Sequence, residues 1–374
     1  MYFISTLFYT FFASIRKKYL FPGLFVILFS AIGVTNVLFS AELVPKQIID
    51  FVSTGDWTKI IEYSQKLRDD EKTSPVVSFL ISHAYAENYD EITQKRQYQI
   101  GRQYFRESLR SGQEFSVIIN TFKTLTEQKP ENSFFWYILS EAYFYKYYFF
   151  KTARDSQKAL DEAIRCIEKA IRINPDMPSF RLLNSIIYLE KENFQQAFIN
   201  FKKIRSPTAR QLAIFGAMCF DKNLYDEAIS YLNKVLTDFP EYEGKYHIYS
   251  LLAKCYGKKG EYDKVIDYSQ KALEVPNPQK YVSYYLLGSA YLDKGEYEKA
   301  VTYYEKVISE FPRRKNLSPE DKMILLDTHG KISDIYFHHL KNYRKARYWY
   351  KKLVDIIYAD PEKKAINASS HNHR

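Results

Sequence analysis

Cysteine is scarce in this 374-residue chain, and its three copies, Cys166, Cys219 and Cys255, stand far apart with no CxxC spacing. That excludes a disulfide framework and a structural zinc site, and leaves the thiols as small apolar side chains. Histidine is also sparse, at seven residues, and the chain has no HExxH, no glycine-rich phosphate loop and no nucleophile elbow. Nothing therefore proposes a catalytic mechanism, a cofactor or a metal. The pair His338-His339 faces two sides of a helix, and His371 and His373 fall in a polar tail read as disordered, so neither is a metal site. Segments that read as strands are few, and Gly and Pro fall at the ends of helix-period segments, which makes the chain all-α.

What the chain does have is an internal repeat. One register reads Tyr284, Leu287, Gly288, Tyr291, Gly295, Tyr297, Ala300, Tyr304 and Pro312. A second, 35 residues upstream, reads Tyr249, Leu252, Ala253, Tyr256, Gly260, Tyr262, Val265 and Ala272, closed by Pro276 and Pro278. Leu287, Gly288 and Tyr291 share one face of a first helix. Gly295 is where that helix must stop, and Tyr304 and Val307 carry the apolar stripe of a second helix that ends at Phe311-Pro312. Gly288 and Ala300 are small where the two helices cross closely. The 34 tyrosines and 27 phenylalanines are largely accounted for by this frame.

On these residues the chain resembles the tetratricopeptide repeat (TPR) family. The resemblance implies a right-handed superhelical solenoid of helix-turn-helix hairpins, completed by stacking because one hairpin cannot bury its apolar face alone. It also implies protein binding without catalysis. The frame places degenerate TPR-like helices over 42–129, a unit with an insertion over 130–177, four units over 178–314, a C-terminal unit over 315–360 and a disordered tail over 361–374. In the first region, Gly55, Trp57, Ile60 and Leu67 read as the turn and second helix of a capping unit. Pro75 to Tyr85 reads as a first helix, Gln97 to Leu109 as its displaced second helix, and Glu114 to Glu127 as one more helix. Tyr147 to Gln157 reads as an insertion, and Arg313 to Glu320 as a linker.

Residues 1–41 stand apart. They hold Arg16, Lys17 and Lys18 and no acid, and Tyr19 to Ala41 is a charge-free run of 23 residues. That length crosses a bilayer with some tilt. By the positive-inside rule the basic flank stays in the cytoplasm, so the reading is a single-pass membrane anchor with the array extracytoplasmic, periplasmic in a bacterium. A cleavable signal ending at Ser40-Ala41 is the alternative. Met1 to Ile15 is a second apolar stretch, read either as an interfacial segment or as the product of an upstream start codon.

The groove lined by first helices is the expected binding surface. Its candidate residues are Tyr137, Glu141 and Phe144, then Leu182, Ile186 and Leu189, then Ala213, Ala217 and Phe220. Ser250, Lys254 and Lys258 follow, and then Tyr285, Ser289 and Leu292. TPR domains that clamp the C-terminal carboxylate of chaperones carry Lys and Asn at two of these positions. The pairs Tyr285/Ser289, Ser250/Lys254 and Ala213/Ala217 lack that clamp. The groove reads as apolar and aromatic with a basic step at Lys254 and Lys258, suited to a peptide or amphipathic helix of a protein partner. Small-molecule and nucleic-acid ligands are not expected. The net charge of +10 is a mild excess. Its most one-sided stretch, Lys341, Arg344, Lys345, Arg347, Lys351 and Lys352 against Asp355, reads as a solvated terminal cap, with a nucleic-acid or anionic-lipid patch as the alternative.

Overall fold

The computed structural model describes residues 44–72, 74–87, 112–150, 156–312 and 319–358, and among these there is no strand. The segments read as membrane anchor (1–41), as displaced second helix (Gln97 to Leu109) and as tail (361–374) lie outside the described residues. The chain divides into two compact units, one ending at Gln211 and the next beginning at Leu212.

The first unit contains α1 (Lys46–Thr54), α2 (Trp57–Ser64), a single turn α3 (Asp69–Lys72), α4 (Pro75–Glu87), α5 (Gly112–Gln128), α6 (Ser133–Phe149), α7 (Ser156–Ile173), α8 (Pro178–Glu190) and α9 (Phe194–Lys202). The unit boundary falls inside α10 (Ala209–Asp221). The second unit continues with α11 (Tyr225–Asp238), α12 (Lys245–Lys258), α13 (Tyr262–Glu274), α14 (Lys280–Asp293), α15 (Tyr297–Glu310), α16 (Pro319–Asp334) and α17 (Tyr343–Tyr358). Within each unit, consecutive helices pair as antiparallel hairpins, most extensively α6 with α7, α12 with α13 and α14 with α15.

One backbone device closes the hairpins. Six of the described turns place a residue in the left-handed region: Gly55, Glu192, Asn223, Gly260, Gly295 and Lys341. The amide of the next residue then donates back to a carbonyl in the last turn of the first helix. Glu296 N–H reaches Tyr291 O at 2.8 Å, Glu261 N–H reaches Tyr256 O at 3.0 Å, and Leu224 N–H reaches Cys219 O at 2.9 Å. This Schellman geometry satisfies carbonyls that the helix end would otherwise orphan. The following helix is often capped from its other side. The side chains of Asp56, Asn193 and Asn342 accept from the amides of Lys59, Gln196 and Lys345 at 3.2, 3.2 and 3.1 Å.

Packing inside a hairpin is set by the small residues. An ideal Cβ on Gly288 would fall 2.7 Å from Tyr304 Cδ1, and one on Gly216 would fall 3.0 Å from Leu232 Cγ. The side chain resting on Gly288 is thus the Tyr304 ring, with Ala300 fully buried one turn away. Leu252, Leu287, Val307 and Tyr304 are all buried to 0% exposure. Each of the aliphatic ones contributes roughly 1.5–3 kcal/mol by leaving water. Neighbouring repeats are also tied at their outer edges by Lys259 to Asp226 and, one repeat on, Lys294 to Asp263.

Three readings need correction. The insertion placed at Tyr147 to Gln157 is in part regular helix, because α6 continues through Phe149 and α7 begins at Ser156. Its aromatic run supports the extra turn, with Phe149 buried against Phe115 at a ring separation of 5.6 Å. The linker drawn to Glu320 ends earlier, since α16 starts at Pro319, where proline is tolerated at the first helical position. The capping unit's second helix stops at Ser64, and Leu67 is buried beyond its end. Between α16 and α17, Ile335–His339 forms a π-helical turn, one extra residue that the composition does not announce.

Candidate functional site

The positions assigned to the groove fall into two different environments. In the first unit most are core. Tyr137, Phe144 and Ile186 are 4, 5 and 7% exposed and Leu189 is fully buried, while Leu182 is half-buried. Tyr137 shows why. Its ring lies 4.8 Å from Phe180 on α8 and 5.4 Å from His83 on α4, so it packs sideways between the first helices of neighbouring hairpins.

Several polar atoms in this region sit against one another, while His83 Nε2 is buried without a hydrogen-bond partner among the described residues. Tyr137 Oη donates to Glu87 Oε1 at 2.7 Å. Glu141 Oε2 lies 2.6 Å from His83 Nδ1, with the two side chains 12 and 2% exposed. Trp57 meets the His83 ring edge-on at 4.5 Å, and Arg210 donates to the Ala86 carbonyl. Burial opposes charge on His83, but the Glu141 and Glu87 carboxylates together outweigh it and hold the imidazole above its ordinary value. The Tyr137 and Tyr145 hydroxyls are pushed well up, first by burial and then by the Glu87 and Glu141 carboxylates. Glu141, read as a groove residue, is therefore engaged internally.

In the second unit the same positions stay accessible. Ala213, Phe220, Ser250, Lys254, Tyr285, Ser289 and Leu292 are half-buried and Lys258 is exposed, with Ala217 alone buried at 5%. Around Tyr285 they form a polar cluster that the sequence did not disclose. Tyr285 Oη donates to Asp327 Oδ2 at 2.5 Å, and Lys331 Nζ lies 3.2 Å from the same carboxylate oxygen. The Lys331 ammonium also lies 5.2 Å from the Tyr285 ring centroid. Ser289 Oγ and Tyr304 Oη share a hydrogen bond at 3.0 Å. Burial, and then the Asp327 carboxylate, raise the Tyr285 hydroxyl far above the ordinary phenol. Asp327 and Lys331 are one helical turn apart on α16, and that spacing was the only available signal for them.

Chemically this surface offers aromatic faces, hydroxyls, one carboxylate and ammonium groups. The three thiols are buried and pushed upward by burial, Cys166 and Cys255 to about 12, and they pack as small apolar side chains. Among the described residues no three His, Cys, Asp or Glu side chains are grouped as a metal would need. Among them, too, no helix is long and apolar enough to cross a membrane.

A family model of the tetratricopeptide repeat matches residues 153–177, 246–277 and 281–313. No curated protein matches the sequence. Among solved structures, the C-terminal part of a TPR repeat-containing protein from Cytophaga hutchinsonii is similar at 19% identity and a TM-score of 0.51, covering 68% of this chain and 93% of that one. PilW, a type IV pilus biogenesis factor, aligns at 19% identity and a TM-score of 0.41, covering 61% and 96% of the two chains. YrrB, a TPR protein with an unusual peptide-binding site, aligns at 17% identity and a TM-score of 0.37, covering 55% and 96%. The matched hairpins at 246–277 and 281–313, closed by Gly260 and Gly295, are tetratricopeptide repeats, and the described residues around them form an all-helical array similar to those of TPR proteins.

Proposed function

We propose that this chain is a non-catalytic scaffold that binds a protein partner through the first helices of its second unit. The reading rests on one observation: Lys254, Tyr285, Ser289 and Leu292 remain half-exposed on successive first helices, whereas in the first unit Tyr137, Phe144, Ile186 and Leu189 are buried and Glu141 lies against His83. A peptide or amphipathic helix laid there would set apolar anchors against Tyr285 and Leu292. Its acidic groups would meet Lys254 and Lys258. YrrB is described as binding peptide, which is consistent with such a surface on a TPR array.

The charge-free run Tyr19 to Ala41 extends the proposal to a single-pass anchor that holds the array on the extracytoplasmic side. Ser40-Ala41 supports a second reading, a soluble periplasmic or secreted protein assisting an envelope enzyme or assembly complex. One experiment addresses both. The full chain with a C-terminal tag is captured from membranes, its intact mass measured and its co-purifying proteins identified. Retention of residues 1–41 with envelope proteins that are lost on Tyr285→Ala supports the anchored scaffold. A mass beginning near Glu42 moves the protein to the soluble reading, and partners indifferent to Tyr285→Ala and Lys254→Glu remove the groove.

A further inference from the structure

The last hairpin differs from its predecessors in how it treats its charges. In the hairpins before it, Lys259, Lys264, Lys294 and Lys299 each hold a carboxylate. On α17 and the turn before it, Lys341, Arg344, Arg347 and Lys351 are exposed, and no ion pair among the described residues engages them. The only acid on that helix is Asp355. A TPR helix on which no further described helix stacks is expected to carry a plainly polar outer face. This one instead exposes Tyr343, Tyr348 and Tyr350 to 58, 55 and 59%.

The arrangement follows from helix geometry and from the π turn. At 3.6 residues per turn, Ala346, Trp349 and Leu353 point toward the core, which puts Arg344, Lys351, Arg347 and Tyr348 outermost. Tyr343 and Tyr350 flank that row on one side, nearly two turns apart. The π turn sends Phe337 outward onto the same flank, 49% exposed, where its ring meets Tyr343 at 5.3 Å. Cations in the middle with aromatic rings along one edge, on a helix with no facing wall among the described residues, match a flat anionic surface better than a single strand or a peptide, which needs a channel.

We propose that the outer face of α17 rests on an anionic phospholipid bilayer. Arg344, Arg347 and Lys351 meet lipid phosphates, and Tyr343, Tyr350 and Phe337 enter the headgroup layer. This contact needs no contribution from the Tyr285 surface, and it is separate from any insertion of Tyr19 to Ala41.

The test uses the full chain carrying Asp355→Cys labelled with an environment-sensitive fluorophore, the buried thiols being slow to react. Vesicles of phosphatidylglycerol in phosphatidylcholine, vesicles of phosphatidylcholine alone, a single-stranded oligonucleotide and polyglutamate are each added. A blue shift and a several-fold rise in emission with the anionic vesicles alone, reversed by high salt and abolished by Arg344→Glu/Arg347→Glu/Lys351→Glu, support the proposal. Tyr343→Ser/Tyr350→Ser should reduce the shift, and circular dichroism should show every variant folded. Co-flotation of the chain with either vesicle without any change in emission would mean that only the N-terminal segment binds lipid, and would overturn the proposal. A response to the oligonucleotide or polyglutamate but not to lipid would also overturn it, giving the face to nucleic acid or to an acidic protein.

Discussion

The Tyr304 ring lies directly over the bare Cα of Gly288, so that a methyl group added there would meet two ring carbons at 2.7 Å. Tyr304 is fully buried and cannot swing into solvent. Gly288→Ala should therefore destabilise by about 1–3 kcal/mol through overpacking, and Gly288→Leu by more. Gly257, also helical, is the control, since its nearest neighbour would be Val265 Cγ2 at an ordinary 3.6 Å. There Gly257→Ala should be neutral or gain about 0.5–1 kcal/mol from helix propensity. Equal effects at both positions, measured by urea denaturation, would refute the crossing as the reason for glycine.

Gly260 separates backbone cost from steric cost. It sits at φ +75° with no atom within 4 Å of where a Cβ would stand. Gly260→Ala should lose about 1 kcal/mol purely because an L side chain disfavours the left-handed region. Gly260→Asn should lose less, as Asn223 already occupies the equivalent turn at φ 61°. An alanine variant as stable as the parent would show that the turn relaxes to another conformation.

These two glycines also mark where sequence reasoning succeeded. The 35-residue echo between the Tyr249 and Tyr284 registers located α12 to α15 because tyrosine, glycine and alanine recur at the crossings and turns. The same turn elsewhere is made by Glu192 and Lys341, which carry no glycine signal and pay the left-handed cost locally. The π turn at Ile335–His339 was illegible because one additional helical residue changes neither composition nor period enough to register. The groove assignment had a different weakness. Moving one residue along a helix rotates the side chain by about 100°, enough to turn an inward residue sideways. Tyr137 and Tyr285 hold the same place in the frame, yet Tyr137 is 4% exposed between Phe180 and His83 while Tyr285 stays half-buried beside Asp327. Asp327 was invisible as the partner of Tyr285 because the two are 42 residues apart, a distance at which no local spacing rule applies.

That Tyr285–Asp327 bond ties the first helices of consecutive hairpins, and removing it should be separable from removing the ring. Tyr285→Phe keeps the ring beneath Lys331 and leaves Asp327 with its lysine, so the cost should be about 1–2 kcal/mol. Tyr285→Ala removes the ring as well and should weaken capture of the partner, while Tyr285→Phe keeps most of it. Loss of capture with both variants in proportion to their melting temperatures would mean that Tyr285 serves only stability.

The buried His83–Glu141 pair gives the first unit a pH dependence of definite sign. Burial and Arg210 oppose charge on the imidazole, but the Glu141 and Glu87 carboxylates together hold it above its ordinary value of 6.5 in the folded state. A folded value raised above the unfolded one means that the pair's stabilisation is complete below 6.5 and is lost as pH rises through the folded value. The neighbouring Tyr137 and Tyr145 hydroxyls are held well above the ordinary phenol and stay protonated throughout this window. Thermal melts of the full chain should therefore show its first unit becoming less stable as pH rises above 6.5, with the slope removed by His83→Gln. Glu141→Ala strands the imidazole in a dry site beside Trp57 and should cost about 3–5 kcal/mol at the acidic end. A His83→Gln variant that keeps the parental slope would place the titration elsewhere, and a parent that gains stability across the window would reverse the sign and dissolve the pair.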